Sequence, residues 1–159
     1  MNKIASFTVN HIDLLTGVYV SRRDKVGEEV ITTFDLRFTR PNLEPPMDTP
    51  GIHTIEHLGA TFLRNHPVWA EKTIYFGPMG CQTGFYLLVR KSITPAEVFE
   101  ITKEILAQII EYEGPVFGAS AIECGHYENL SLADAKAECE KYLEVLKNQT
   151  NMEFTYPKE

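Results

Sequence analysis

Gly51–Leu63 reads GIHTIEHLGATFL, with an apolar stripe on one side and chemistry on the other. His53 and His57 stand four residues apart. On an α-helix that spacing puts both imidazoles on one face, about 40° apart around the axis. Glu56 follows His53 by three residues and lies on its other side. Ile52, Ile55, Gly59, Phe62 and Leu63 fall on a separate stripe, so one side of the helix can pack while the other reacts. Asp48 or Thr49 is placed to cap this helix, and Pro50 suits its first turn. Pro67 disfavours helix in the residue before it, so an end near Arg64-Asn65-His66 is expected. Two neutral imidazoles bind a divalent ion, and a carboxylate beside them moves protons. A histidine pair at this spacing also occurs as a structural pair or a weak surface chelate, so a third ligand has to be sought elsewhere.

The flanking text alternates between extended and helical patterns. Upstream, residues 40–50 carry four prolines and form a stiff loop. Before that loop, residues 29–39 alternate with period two. Val30, Thr32, Phe34, Leu36 and Phe38 are set to face a core. Arg37 falls on the opposite, more polar face, as a solvated charge or an anion clamp, and the pattern favours the solvated charge. Residues 4–9 read as a short strand, Val18–Val20 as an extended piece, and Arg22–Lys25 as a charged turn. Downstream, residues 72–76 and 84–89 read as two strands joined through Gly77-Pro78-Met79-Gly80-Cys81-Gln82-Thr83. Residues 94–113 form an amphipathic helix opened by the capping box Thr94–Glu97 and stopped by Gly114-Pro115. Residues 114–130 read as a loop. A last helix over 131–148 is capped by Ser131, with Cys139 on its apolar stripe. The tail from residue 148 is polar and expected to fray.

The totals bound the class. With 159 residues the chain suits one domain with a real core. A net charge of −7 argues against nucleic acid, whose binding rests largely on phosphate neutralisation, and against an anionic membrane surface. No apolar run approaches a membrane span and the first residues are no signal peptide, so a cytoplasmic location is expected. Three cysteines argue against a disulfide framework and leave thiols for chemistry or metal.

Two of those cysteines sit in loops. Cys81 lies in a Gly/Pro-rich connection between strands, a setting more typical of a functional thiol than of a buried inert one. Cys124-Gly125, followed by His126, offers the missing third ligand. A loop thiolate backed by glycine is the stronger candidate, and His126 the weaker. The H-x-x-E-H order is that of the inverzincin metallopeptidases. A metal-dependent hydrolase with Glu56 as general base is therefore the alternative reading, although Cys81 then has no task.

Taken together, HTIEH on a helix, PMGCQTGFY on a hairpin, a late Cys-Gly and an early S-F-x-x-x-H resemble the LuxS family of S-ribosylhomocysteine lyases over essentially the whole chain. The resemblance implies a single-domain α+β fold, an antiparallel sheet packed against helices, of the LuxS-like metallohydrolase type. It implies His53, His57 and Cys124 as ligands of one divalent metal per subunit, natively Fe(II), with zinc or cobalt as substitutes. Cys81 and Glu56 are implied as acid/base residues, and Ser6, His11 and Arg37 as substrate contacts. The implied state is a homodimer with its sites at the interface. The implied reaction cleaves S-ribosylhomocysteine to homocysteine and 4,5-dihydroxy-2,3-pentanedione, the autoinducer-2 precursor. One departure stands out. The family's D-I-S before P-M-G-C is replaced by Tyr75-Phe76-Gly77, which bears on contacts to the homocysteine end of the substrate.

Overall fold

The computed structural model describes residues 1–91 and 93–157. Four strands, β1 (Gly17–Val26), β2 (Glu29–Arg37), β3 (Thr73–Pro78) and β4 (Gly84–Arg90), form one antiparallel sheet in the order β1-β2-β4-β3. Three helices, α1 (Thr49–Asn65), α2 (Pro95–Glu111) and α3 (Leu132–Lys147), accompany it. The result is the expected single-domain α+β fold.

The alternating pattern of β2 sorts its side chains as expected near the centre. Thr32, Phe34 and Leu36 are buried against the helices, and the core joins them to Phe85 and Leu87 of β4 and to Ile55 and Leu58 of α1. Val30, expected inside, lies beside the β1–β2 turn at the end of the sheet and stays 37% exposed. The helix signals hold. Asp48 Oδ1 accepts from Gly51 N, Thr94 and Glu97 close a reciprocal capping box, and Ser131 accepts from Asp134 N. Each such cap contributes about 1 kcal/mol. Trp69 and Cys139 are core residues.

Three local expectations are corrected. Residues 4–9 form no strand. Ala5–Phe7 is a single 3₁₀ turn with no buried residue, because strand propensity expresses itself only where a sheet partner and a packing surface exist. Arg22–Lys25 is not a turn but the outer half of β1, an edge strand, where charge discourages pairing with other chains. The turn falls just beyond, at Gly27, whose φ of +63° suits glycine. The tail is also docked rather than loose as far as the described residues reach, to Pro157; residues 158–159 lie outside them. The Phe154 carbonyl accepts from Val20 N on the free edge of β1, and the Tyr156 ring stacks on Tyr19 at 5.4 Å.

Candidate functional site

His53 and His57 project from the same face of α1, their rings edge-to-face with centroids 4.6 Å apart. The loop 114–130 wraps over them. Thr54 helps fix it: its Oγ1 donates to the Pro50 carbonyl and accepts from Ser131 N at 2.8 Å, which pins the end of the loop to α1. The Asn129 carbonyl lies 2.8 Å from His53 Nδ1, and the Phe117 carbonyl 2.7 Å from His57 Nδ1. Gly118 allows the second approach. Its φ is +71°, and a Cβ there would stand 3.3 Å from His57 Nδ1.

A carbonyl only accepts, so the hydrogen-bond network assigns the proton to Nδ1 in both rings. Each neutral imidazole then presents a bare lone pair at Nε2. The two Nε2 atoms lie 3.0 Å apart, and Cys124 Sγ lies 3.4 Å from that of His53. All three donor atoms fall within 4.8 Å of one another. Lone pairs and a thiol converging on one point form a donor set for a cation. A first-row ion about 2.0–2.1 Å from nitrogen and 2.3 Å from sulfur in tetrahedral array requires donor separations of about 3.3–3.6 Å. The His53–Cys124 separation lies in that range and the two nitrogens stand a few tenths of an ångström inside it, so small ring movements would seat such an ion. The carbonyls on Nδ1 are the outer partners that fix ring orientation and raise ligand basicity. The His126 side chain is not part of the converging group, and its backbone N donates to Cys124 Sγ at 3.4 Å. Glu56 is half-buried beside this group. The side-chain hydrogen bonds of this stretch of helix belong to His53, Thr54 and His57, and among the described residues none engages its carboxylate.

A second group forms at the end of the sheet. Arg37 is 3% exposed, not solvated. Its Nε and Nη2 donate to the two oxygens of Asp35, at 3.1 and 2.5 Å. Two residues apart on one strand, these side chains share a face. Arg37 Nη1 donates to Thr83 Oγ1 at 2.6 Å and stands 3.8 Å from Cys81 Sγ. Cys81 Sγ is in turn 3.1 Å from Thr83 Oγ1, and its residue is solvent-accessible. Burial pushes the Asp35 carboxyl up, against the pull of the Arg37 charge and the donated hydrogen bonds. Beside this group opens a cleft of about 950 Å³ lined by Ser6, His11, Arg37, Tyr75 and Tyr86. Ser6 is exposed, and His11 is half-buried with Nδ1 2.8 Å from the Val9 carbonyl.

The sequence-derived residues thus fall into two groups: His53, His57 and Cys124 with Glu56, and Cys81 with Arg37, near Ser6 and His11. Among the described residues no hydrogen bond joins the two. Asp35, Thr83 and Tyr156 belong to the second group and were not anticipated. The Asp35-x-Arg37 spacing on a strand is a signal for Asp35 alone, while Thr83 and Tyr156 join through long-range contacts that the sequence does not encode locally.

A profile of the S-ribosylhomocysteinase (LuxS) family matches residues 4–153. The chain belongs to the LuxS family. It is similar to S-ribosylhomocysteine lyases along nearly its full length. That of Desulfotalea psychrophila is 52% identical over 158 residues, 99% of each chain. That of Clostridium beijerinckii is 51% identical over the same shares. That of Borreliella burgdorferi is 45% identical over 99% of this chain and all of that one. Within this LuxS chain the unusual Tyr75-Phe76-Gly77 lies in β3. Phe76 stacks on Phe85 in the core, and the Tyr75 ring lies over Gly77, in the space a side chain there would take. Tyr75 thereby reaches the cleft.

Proposed function

We propose that this LuxS chain is an S-ribosylhomocysteine lyase, cleaving its substrate to homocysteine and 4,5-dihydroxy-2,3-pentanedione. The observation that carries the reading is the convergence of two bare imidazole nitrogens and a thiol on one point, in a chain alignable end to end with lyases of that name.

The chemistry can be divided among the residues. His53, His57 and Cys124 would hold a divalent ion, natively Fe(II) as the family implies, with zinc or cobalt able to replace it. Bound there, the ion supplies Lewis-acid stabilisation of negative charge on substrate oxygen, worth several kcal/mol. Three protein ligands leave a position open for it to do so. The carbonyl of the opened ribose must migrate twice before the thiol departs. Each migration takes a proton from one carbon and returns it to the neighbouring one. Cys81 is the group for that shuttle: accessible, with Thr83 and Arg37 at its sulfur. Glu56 moves hydroxyl protons and takes the proton lost in the final β-elimination. There the C–H electron pair becomes the new double bond and the C–S pair leaves with sulfur, which is then protonated to homocysteine. Ser6 and His11 line the substrate cleft. The fork of Arg37 is engaged by Asp35, so its contribution is to the sulfur of Cys81 and the wall of the cleft rather than a bidentate clamp on a carboxylate.

Separation of the two groups supports a homodimer in which the metal group of one chain meets the Cys81 group of the other. Exposed apolar side chains flank both, with Ile4 and Phe7 at 57% and 68% near the cleft and Ile122 at 98% beside Cys124. A cytoplasmic role in methionine recycling and autoinducer-2 production follows from the same reading. Among the described residues no helix is long and apolar enough to cross a membrane.

The test is thiol release. Protein purified anaerobically is given S-ribosylhomocysteine and, separately, a peptide library. Free thiol without peptide cleavage supports the lyase. Peptide cleavage without thiol moves the H-x-x-E-H hydrolase to first place. Mixing Cys81→Ala with Cys124→Ala chains should regain activity if subunits exchange and each site draws on two chains.

A further inference from the structure

We propose that Tyr156, in the C-terminal tail, is a positioning residue for Cys81, acting through Asp35 and Arg37. The inference rests on the lyase reading only for the task of Cys81, not for the geometry.

Four observations carry it. The Tyr156 hydroxyl donates to Asp35 Oδ2 at 2.7 Å, the same oxygen that receives Arg37 Nη2. Asp35 is fully buried, so its carboxylate has no water to replace a lost donor. The tail is tied down on both sides of the contact, by the Phe154 carbonyl on Val20 N and by the stack of Tyr156 on Tyr19. Tyr19 and Tyr86 are the cross-strand neighbours of Asp35 in β1 and β4, so Tyr156 is the third tyrosine beside the buried Asp35–Arg37 pair. Burial, and then the Asp35 charge, hold the Tyr156 phenol well above its ordinary range, so it stays a donor.

The consequence runs along the hydrogen bonds. Asp35 fixes the plane of the Arg37 guanidinium, and Arg37 Nη1 then reaches Thr83 and the sulfur of Cys81. With the hydroxyl gone, Oδ2 keeps one donor, the carboxylate can turn, and the guanidinium loosens from Cys81. The segment after α3 therefore serves as a strap that sets the acid/base thiol through Asp35 and Arg37, while the Tyr156 side chain also forms part of the cleft wall.

Tyr156→Phe keeps the ring and its stack and removes the hydroxyl alone. In the full-length metal-loaded protein, iodoacetamide labelling of each cysteine at pH 7 is followed by mass spectrometry, together with steady-state thiol release. The expected result is several-fold slower labelling of Cys81, unchanged labelling of Cys124 and Cys139, and kcat lower by roughly tenfold with KM within about twofold. Faster labelling of all three cysteines would mean that Tyr156 only holds the fold and would overturn the proposal. So would a rise in KM alone with Cys81 labelling unchanged, which would place Tyr156 against the substrate. Slower Cys81 labelling with no thiol release from either protein would leave the strap standing and remove the lyase reading. Asp35→Asn should slow Cys81 labelling as well, and adding Tyr156→Phe to it should have no further effect. Additive effects would break the proposed chain of contacts.

Discussion

The two reactive groups of this chain are built in opposite ways. The metal group is local. Two of its three donors come from one turn of α1, and its outer partners are backbone carbonyls that no side-chain substitution removes. The Cys81 group is assembled from a distance. It draws on β2, the β3–β4 connection and the tail, and is joined by side-chain hydrogen bonds around one buried ion pair. The first fails most sharply when a ligand is lost, and otherwise only where the loop backbone that carries its outer partners is moved. The second can be detuned from several places.

The largest effects are expected where that contrast is sharpest. Cys124→Ala should lose metal and thiol release together, by about a thousandfold or more in turnover, because two imidazoles alone hold an ion weakly. Cys81→Ala should lose turnover to a similar extent while metal per chain stays at the wild-type level. A Cys81 variant that also lost metal would break the separation of the two groups.

Arg37→Met comes next. It leaves Asp35 buried and unpaired, at a cost of about 3–5 kcal/mol by urea unfolding. The double variant Arg37→Met/Asp35→Leu should recover most of that stability, since a buried ion pair contributes little net free energy. It should not recover activity. If activity returned with stability, Arg37 would be scaffolding only. A smaller effect is expected at Gly118. Ala there forces a side chain into the left-handed region and against His57, so metal affinity should fall about 10–100-fold as the Phe117 carbonyl shifts.

The last effect is alkaline and falls on stability alone, leaving the contrast between the two groups untouched. Burial holds the phenols of Tyr142 and Tyr156 and the thiol of Cys139 above their ordinary values. A raised value in the folded state means the native protein retains protons the unfolded chain has lost. Stability should therefore begin to fall as pH rises above about 9, through Cys139, and more steeply above about 10, where each phenol adds a slope of up to about −1.4 kcal/mol per pH unit. Thermal unfolding between pH 8 and 11 reads this directly. A flat melting temperature would show that the phenols ionise in place.

The same contrast explains what could be read from the sequence. His53, His57 and the caps of all three helices follow from spacing along one helix, where neighbours in space are neighbours in sequence. Cys124 was visible as a loop thiol, and the resemblance fixed its partners. The setting of Arg37 was not legible. Strand alternation says which face a side chain occupies but not what covers that face, and here the N-terminal segment and the tail cover it. The 4–9 strand and the frayed tail erred for a related reason. Both depended on whether the edge and outer face of the sheet had partners, a matter of tertiary placement that local propensity does not encode.

The most direct test is a metal titration of the apo protein under anaerobic conditions. Fe(II) is added stepwise, and the rate of thiol release from S-ribosylhomocysteine is measured at each step. The rate should rise linearly and break at about one ion per chain, with no such rise for Cys124→Ala. Thiol release that is already maximal without metal, or tight uptake of one ion with no thiol released, would contradict the metal-dependent lyase reading.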